Sequence, residues 1–301
     1  MSHNLITILG PTATGKTRLA AKLAKDFNGE IISADSRQVY RDMNIGTGKD
    51  LEDYTVDELH IPYHMIDIVD PTEEFDVYKF NQLFYEIHKD IIDNNKMPFL
   101  VGGTGLYLSS ILKSYTFPIA DFSKDNLSQF DNYSTKELKS NLLELNPKLH
   151  NTTDLLDRTR VIKAIIVGRS QHKKSIEQSK ISSLVIGIKL PRSEIKKRIT
   201  ARLKIRIKNG MIDEVEKLLK KGIGYEKLDF FGLEYKYVGL YLKKELDYND
   251  MFQKLNNAIH KFAKKQMTWF RKMEKEGIKI IWIDGPNYEE AKEIIKQNIA
   301  K

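Results

Sequence analysis

Gly10-Pro11-Thr12-Ala13-Thr14-Gly15-Lys16-Thr17 spaces two glycines, a lysine and a hydroxyl as a phosphate-binding loop does. Glycines let the backbone bend so that successive amides point inward at phosphate oxygens. A helix opening at the end of the loop adds favourable potential for an anion, and Lys16 sets a cation on the terminal phosphates. Thr17 offers a hydroxyl to Mg²⁺. The pattern predicts a bound di- or triphosphate without saying which. Asp35, in Ser33-Ala34-Asp35-Ser36-Arg37-Gln38, follows an apolar run and has three readings: a general base, a Mg²⁺ ligand, or a carboxylate capping the next turn. A second glycine loop, Gly102-Gly103-Thr104-Gly105-Leu106-Tyr107, brings the hydroxyl of Thr104. Its glycines permit close approach of a ligand or a helix, and a tight strand-to-helix turn would use them equally. His64 and Tyr107 read as packed side chains.

These residues need elements to position them. Leu5 to Leu9, Glu30 to Ala34, His64 to Val69, Pro98 to Val101, Val185 to Leu190 and Lys279 to Ile283 read as strands. Several are apolar at consecutive positions, as in a parallel sheet covered on both faces. Thr17 to Phe27 and Val77 to Asn94 have helical spacing. The alternation predicts an α/β fold, a parallel sheet flanked by helices. Ligands of such sheets collect beyond the carboxyl ends of the strands, so the phosphate loop and Asp35 share a crevice if their strands are near neighbours. Residues 1–115 and 184–301 would form this core. Residues 116–183, bracketed by Phe117-Pro118 and Pro191, read as a helical insertion, with Gln171 to Ser183 as a mobile loop. Two long helices follow. One runs from Ser193 to Lys221, with Arg198, Arg202 and Arg206 on one face. The other runs from Asn249 to Lys275 and is capped near Gly277.

The chain has 301 residues and a net charge of +8, with 30% charged and 41% hydrophobic residues. That balance excludes disordered and fibrous classes. Zero cysteines exclude disulfides, cysteine-type zinc sites and cysteine nucleophiles. Between Arg192 and Lys275 there are 22 Lys and Arg against 11 Asp and Glu, so this stretch is +11 and the remainder −3. The asymmetry suits either a polyanionic partner or solvated helix faces. A strand beginning at Leu5 leaves no room for a secretory leader, and no apolar run approaches the ~20 residues of a membrane span. A soluble protein of the cytoplasm is expected.

Taken together, the motifs resemble the tRNA dimethylallyltransferase (tRNA isopentenyltransferase) family of bacterial type. The resemblance runs from Leu5 to Met273 and rests on Gly10 to Thr17, Ser33 to Lys49, Val101 to Leu112, Arg160 to Val167, Gly210 to Leu218 and Lys264 to Lys272. It implies a P-loop NTPase-like core. It also implies transfer of a dimethylallyl group from dimethylallyl diphosphate to N6 of adenine 37 in tRNA, with Mg²⁺ as cofactor. By this resemblance Asp35 is the general base, Thr14, Lys16 and Arg202 serve the diphosphate, and Thr17 holds Mg²⁺. Ser36, Arg37 and Gln38 read the adenine beside Asp35, and Thr104 contacts the RNA nearby. Thr159, Arg160, Val161, Ile162 and Lys163 belong to a segment touching the tRNA, on an insertion that clasps the anticodon arm. Lys265, Gln266, Trp269 and Arg271 form an RNA-facing motif, although Trp269 equally suits a core position. Relatives often carry Arg at Lys163, and a Gly-Tyr-basic segment where this chain has Gly232-Leu233-Glu234-Tyr235, so no role passes to those four. A monomer that does not engage membranes is expected.

Three rivals remain at this level: a small-molecule kinase using ATP, an adenylate isopentenyltransferase acting on free AMP or ADP, and a nucleotide-dependent RNA-binding protein without prenyl chemistry. The first predicts an arginine-bearing lid, the second needs neither the insertion nor the Trp269 motif, and the third needs no Asp35 at the crevice.

Overall fold

Side chains of a strand alternate between two faces, and the first strand serves two cores that way. Along β1 (Leu5–Leu9), Leu5 and Leu9 join one apolar layer while Ile6 and Ile8 join the other, and all four are fully buried. The computed structural model describes residues 3–115, 122–145, 158–170 and 179–299. The bracketing Phe117-Pro118 and residues 171–178 of the expected mobile loop lie outside them. The chain divides into two units, one formed by Met1–Ser114 with Lys180–Lys301 and the other by Tyr115–Ser179.

In the larger unit, β1 leads through the phosphate loop into α1 (Lys16–Asp26) and β2 (Gly29–Ala34). A small hairpin of β3 (Thr55–Val56) and β4 (Leu59–His60) precedes β5 (Tyr63–His64), α2 (Val77–Asp93), β6 (Met97–Gly102) and α3 (Gly105–Leu112). Asp76 starts α2 by accepting from the amides of Tyr78 and Lys79, 3.0 Å each. The second unit contributes α4 (Lys124–Ser128), α5 (Thr135–Leu145) and α6 (Arg158–Arg169), around a core of Phe130, Leu138, Leu142, Val161 and Ile165. The larger unit resumes with β7 (Ser183–Lys189), α7 (Arg192–Lys208), α8 (Met211–Lys220), α9 (Tyr225–Phe231), α10 (Leu233–Leu242), α11 (Tyr248–Lys275), β8 (Ile280–Asp284) and α12 (Tyr288–Ile299).

Six strands pair in the order β5-β2-β6-β1-β7-β8, all parallel. Helices α1 and α12 cover one face, through residues such as Leu23 and Ile295, and α2, α3 and α7 to α11 cover the other. β6 lies between β1 and β2, and Gly102 is level with both Leu9 and Ala34. The phosphate loop, the Asp35 turn and the second glycine loop therefore leave the sheet side by side at the same height. Among the described residues no helix is long and apolar enough to cross a membrane.

Two elements differ from expectation. The run from His64 to Val69 is strand only at Tyr63–His64, because Met65 and Asp67 take left-handed backbone, φ 64° and 56°. Met65 and Val69 still pack inward, so the apolar pattern reports burial rather than extension. The helix expected from Ser193 to Lys221 breaks at Asn209-Gly210, where Gly210 has φ 97° and separates α7 from α8. At the end of α11, Gly277 has φ 98° and Ile278 N donates to Met273 O at 3.0 Å, a left-handed glycine cap.

Candidate active site

The phosphate loop bends through left-handed backbone at Ala13 (φ 66°) and Gly15 (φ 82°), and α1 starts at Lys16. Thr14 is fully buried and its hydroxyl donates to Pro11 O at 2.8 Å, which fixes the loop from within. A Cβ at Gly10 would meet that hydroxyl oxygen at 3.0 Å, so a side chain there would press on the loop's own hydrogen bond. Thr12, Lys16 and Thr17 line a cavity of about 580 Å³. Burial pulls the pKa of Lys16 down to about 8; Asp35 opposes this and Arg202 and Arg206 reinforce it.

Asp35 lines the same cavity. Its Oδ1 accepts from the amide of Arg37 at 2.9 Å, so the capping reading is satisfied by one oxygen while the carboxylate still faces the cavity. The hydroxyl of Thr104 accepts from the amide of Ser36 at 3.2 Å and ties the second glycine loop to the Asp35 turn. Gln38 is engaged at both ends: its Nε2 donates to Gly48 O at 3.0 Å, and its Oε1 accepts from Ser33 Oγ at 3.3 Å. The Arg37 guanidinium lies 4.8 Å from the centre of the Phe230 ring.

Helix α11 closes one side. Gln266 is buried, accepts from Thr12 N at 2.9 Å and donates to Gly103 O at 2.9 Å, so one side chain joins both glycine loops. Trp269 is half-buried and donates from Nε1 to Ser109 Oγ at 2.8 Å, while its ring packs where a Cβ at Gly105 would stand, 2.3 Å away. It serves core and cavity together. Lys265 is exposed at the lining; Arg271 is exposed and outside it. From α7, Arg202 donates to the hydroxyl of Thr12, and burial pulls its pKa down to about 10. The segment 159–163 sits on α6 of the second unit, where Thr159 and Arg160 are exposed while Val161 and Ile162 are buried in that unit's own core. Lys163 lies over Phe122, 5.8 Å from the ring centre.

Comparison with known proteins gives this arrangement a family. The IPP transferase family model matches residues 38–273, and an isopentenyl transferase model matches residues 3–60. The chain belongs to the IPP transferase family. It is 49% identical to tRNA dimethylallyltransferase 1 of Syntrophus aciditrophicus, over 99% of both chains. The full-length tRNA isopentenylpyrophosphate transferase of Bacillus halodurans is 31% identical, with 99% of this chain and 96% of that one aligned and a TM-score of 0.71. A eukaryotic dimethylallyltransferase acting on tRNA is 22% identical, with 93% of this chain and 74% of that one aligned and a TM-score of 0.74, which shows a shared fold.

In this IPP transferase the segment given no role from sequence is part of the site. Gly232, Leu233 and Glu234 line the cavity, and burial pushes the pKa of Glu234 up. Tyr235 is buried and donates to Glu214 Oε1 at 2.7 Å. Arg206, Asp50 and Phe262 also line the cavity without having been singled out. Arg206 carried one signal, its four-residue spacing from Arg202, which an ordinary solvated helix face shows too. The oxygen donors at the cavity (the Thr17 hydroxyl and the Asp35, Asp50 and Asp53 carboxylates) suit a hard cation such as Mg²⁺. Among the described residues no cluster of three or more His, Cys, Asp or Glu forms a metal cage, so the set suits an ion held chiefly through a ligand's phosphates.

Proposed function

We propose that this IPP transferase moves a dimethylallyl group from dimethylallyl diphosphate to N6 of adenine 37 in tRNA and releases diphosphate. One observation carries the reading: a phosphate loop at the end of β1 and a carboxylate at the end of β2, two strands separated by β6 alone, line one cavity. An adenine amino group is a weak nucleophile because its lone pair is delocalised into the ring. As N6 forms its bond to C1 of the donor, Asp35 accepts the N6 proton, and such assistance is worth about 10²–10⁴-fold. The C1–O bond breaks with its electron pair going to the diphosphate. Lys16, Arg202, the loop amides and the N-terminus of α1 hold the oxygens on which that charge grows. Losing one such donor costs about 3–4 kcal/mol of barrier. Thr17 would hold Mg²⁺ together with the diphosphate, and the ion would neutralise part of the same charge.

For the base to reach the cavity it must leave its stack, which is cheaper in a loop than in a duplex. Phe262 and Leu106, each more than two-fifths exposed, supply apolar surface at the lining on which an extruded base can rest. Trp269, Lys265 and Arg271 face the anticodon arm in this reading, with Thr159, Arg160 and Lys163 gripping it from the insertion. The protein acts as a cytoplasmic monomer. The testing experiment incubates protein and Mg²⁺ with labelled dimethylallyl diphosphate and an anticodon stem-loop, with ATP and AMP reactions alongside. Label in the stem-loop adenine is expected; label in AMP, or phosphate transfer from ATP alone, would replace the proposal with one of its rivals.

A further inference from the structure

Arg202 and Arg206 stand one turn apart on α7 and both reach the cavity. Arg202 has a partner in Thr12. Arg206 has two long ion pairs but no hydrogen bond among the described residues: its side chain is 9% exposed, and Asp50 Oδ2 and Glu234 Oε1 are each 3.9 Å away, beyond hydrogen-bond length. Its Nε is buried with no hydrogen-bond partner among the described residues. A guanidinium offers five N–H donors in a fixed fork, and this one is held ready without being satisfied.

The slot around it is built. Gly48 has φ 69°, and a Cβ there would stand 1.6 Å from Arg206 Nη2. The loop bearing Gly48 is clamped by Glu214, whose Oε2 accepts from Asn44 N (2.8 Å) and Ile45 N (2.7 Å) while Oε1 accepts from Gly46 N (3.0 Å). Arg206 is also one of the charges depressing Lys16 and Arg202, so three cations stand close together at the cavity.

We propose that Arg206 is a second arginine for the donor's diphosphate, restrained by Asp50 and Glu234 until the anion arrives. The inference rests on the prenyl-donor reading for the identity of the anion. A diphosphate has two phosphoryl groups, and the loop with Lys16 and Arg202 supplies donors for one end while Arg206 supplies a fork for the other. Glu234 repels the same anion and competes for the same fork. Removing Arg206 and removing the charge of Glu234 therefore act in opposite directions. A purely structural ion pair would make both substitutions act alike.

The test titrates inorganic pyrophosphate with Mg²⁺ into the full chain and follows heat, with thermal unfolding of each variant as a check on folding. Relative to the unmodified protein, Arg206→Met should raise Kd at least tenfold, Arg206→Lys should recover part of the loss, and Glu234→Gln should lower Kd several-fold. Pyrophosphate affinity within twofold of normal in folded Arg206→Met overturns the proposal. So does Glu234→Gln weakening binding as Arg206→Met does, a comparison that stands even if the methionine variant fails to fold. If the unmodified protein and Lys16→Ala both ignore pyrophosphate, the donor reading itself falls and takes this proposal with it.

Discussion

A lysine whose pKa lies near 8 is a conditional cation, and in the proposed reaction this sets when the phosphate loop can take its anion. Burial brings the pKa of Lys16 down to about 8, with Asp35 opposing and Arg202 and Arg206 adding to the effect. Below pH 8 the ammonium is formed in the free protein. Above pH 8 it is lost, and binding an anion must then take up a proton, so affinity falls by up to about tenfold per unit. We expect pyrophosphate affinity, divided by that of Lys16→Arg to cancel the ligand's own ionisation, to be flat up to pH 8 and to fall beyond it. A ratio still flat at pH 9.5 would show that Lys16 keeps its charge throughout. Lys16 and Asp35 were legible because motif spacing marks them. Arg206 and Glu234 were not, since a buried charge and a solvated one have the same letter in the sequence.

At the level of elements, the site depends on α11 meeting two loops that approach it through glycines. Gln266 occupies the space a side chain at 103 would need: a Cβ there would stand 2.4 Å from its Nε2 and 3.2 Å from Gly10 O. Gly103→Ala should displace Gln266, strip the amide of Thr12 of its partner and destabilise the protein by about 1–3 kcal/mol. In a Gln266→Ala background the same change should cost less, because the clashing amide is gone. Additive costs in urea unfolding would show that the glycine acts through something other than Gln266. The sheet and α11 could be read from apolar periodicity, which tracks packing. The break at Gly210 and the short β5 could not, because both are set by left-handed backbone at single residues inside patterns that stay apolar. Trp269 was ambiguous in sequence for a good reason, as it packs on Gly105 and lines the cavity at once.

Across the whole molecule, the +11 stretch between Arg192 and Lys275 supplies both the buried arginines of the cavity and an exposed row on α11 that includes Lys264, Lys265 and Lys272. The arginines of the cavity are not free to meet a polyanion at the surface, so the net charge overstates the surface available to RNA. Changing Lys264, Lys265 and Lys272 to Glu should weaken stem-loop binding at least tenfold and flatten its dependence on salt, with a smaller effect on pyrophosphate affinity. An effect confined to pyrophosphate would contradict an RNA-facing α11. In the proposed reaction the carboxylate at the end of β2 takes the proton from the base while the loop at the end of β1 receives the diphosphate. Single-turnover transfer by Asp35→Asn, with donor and stem-loop affinities measured on the same sample, tests it most directly. The expected result is a rate lowered by about 10²–10⁴-fold with both affinities within a few-fold of normal; a rate within threefold of normal would contradict it.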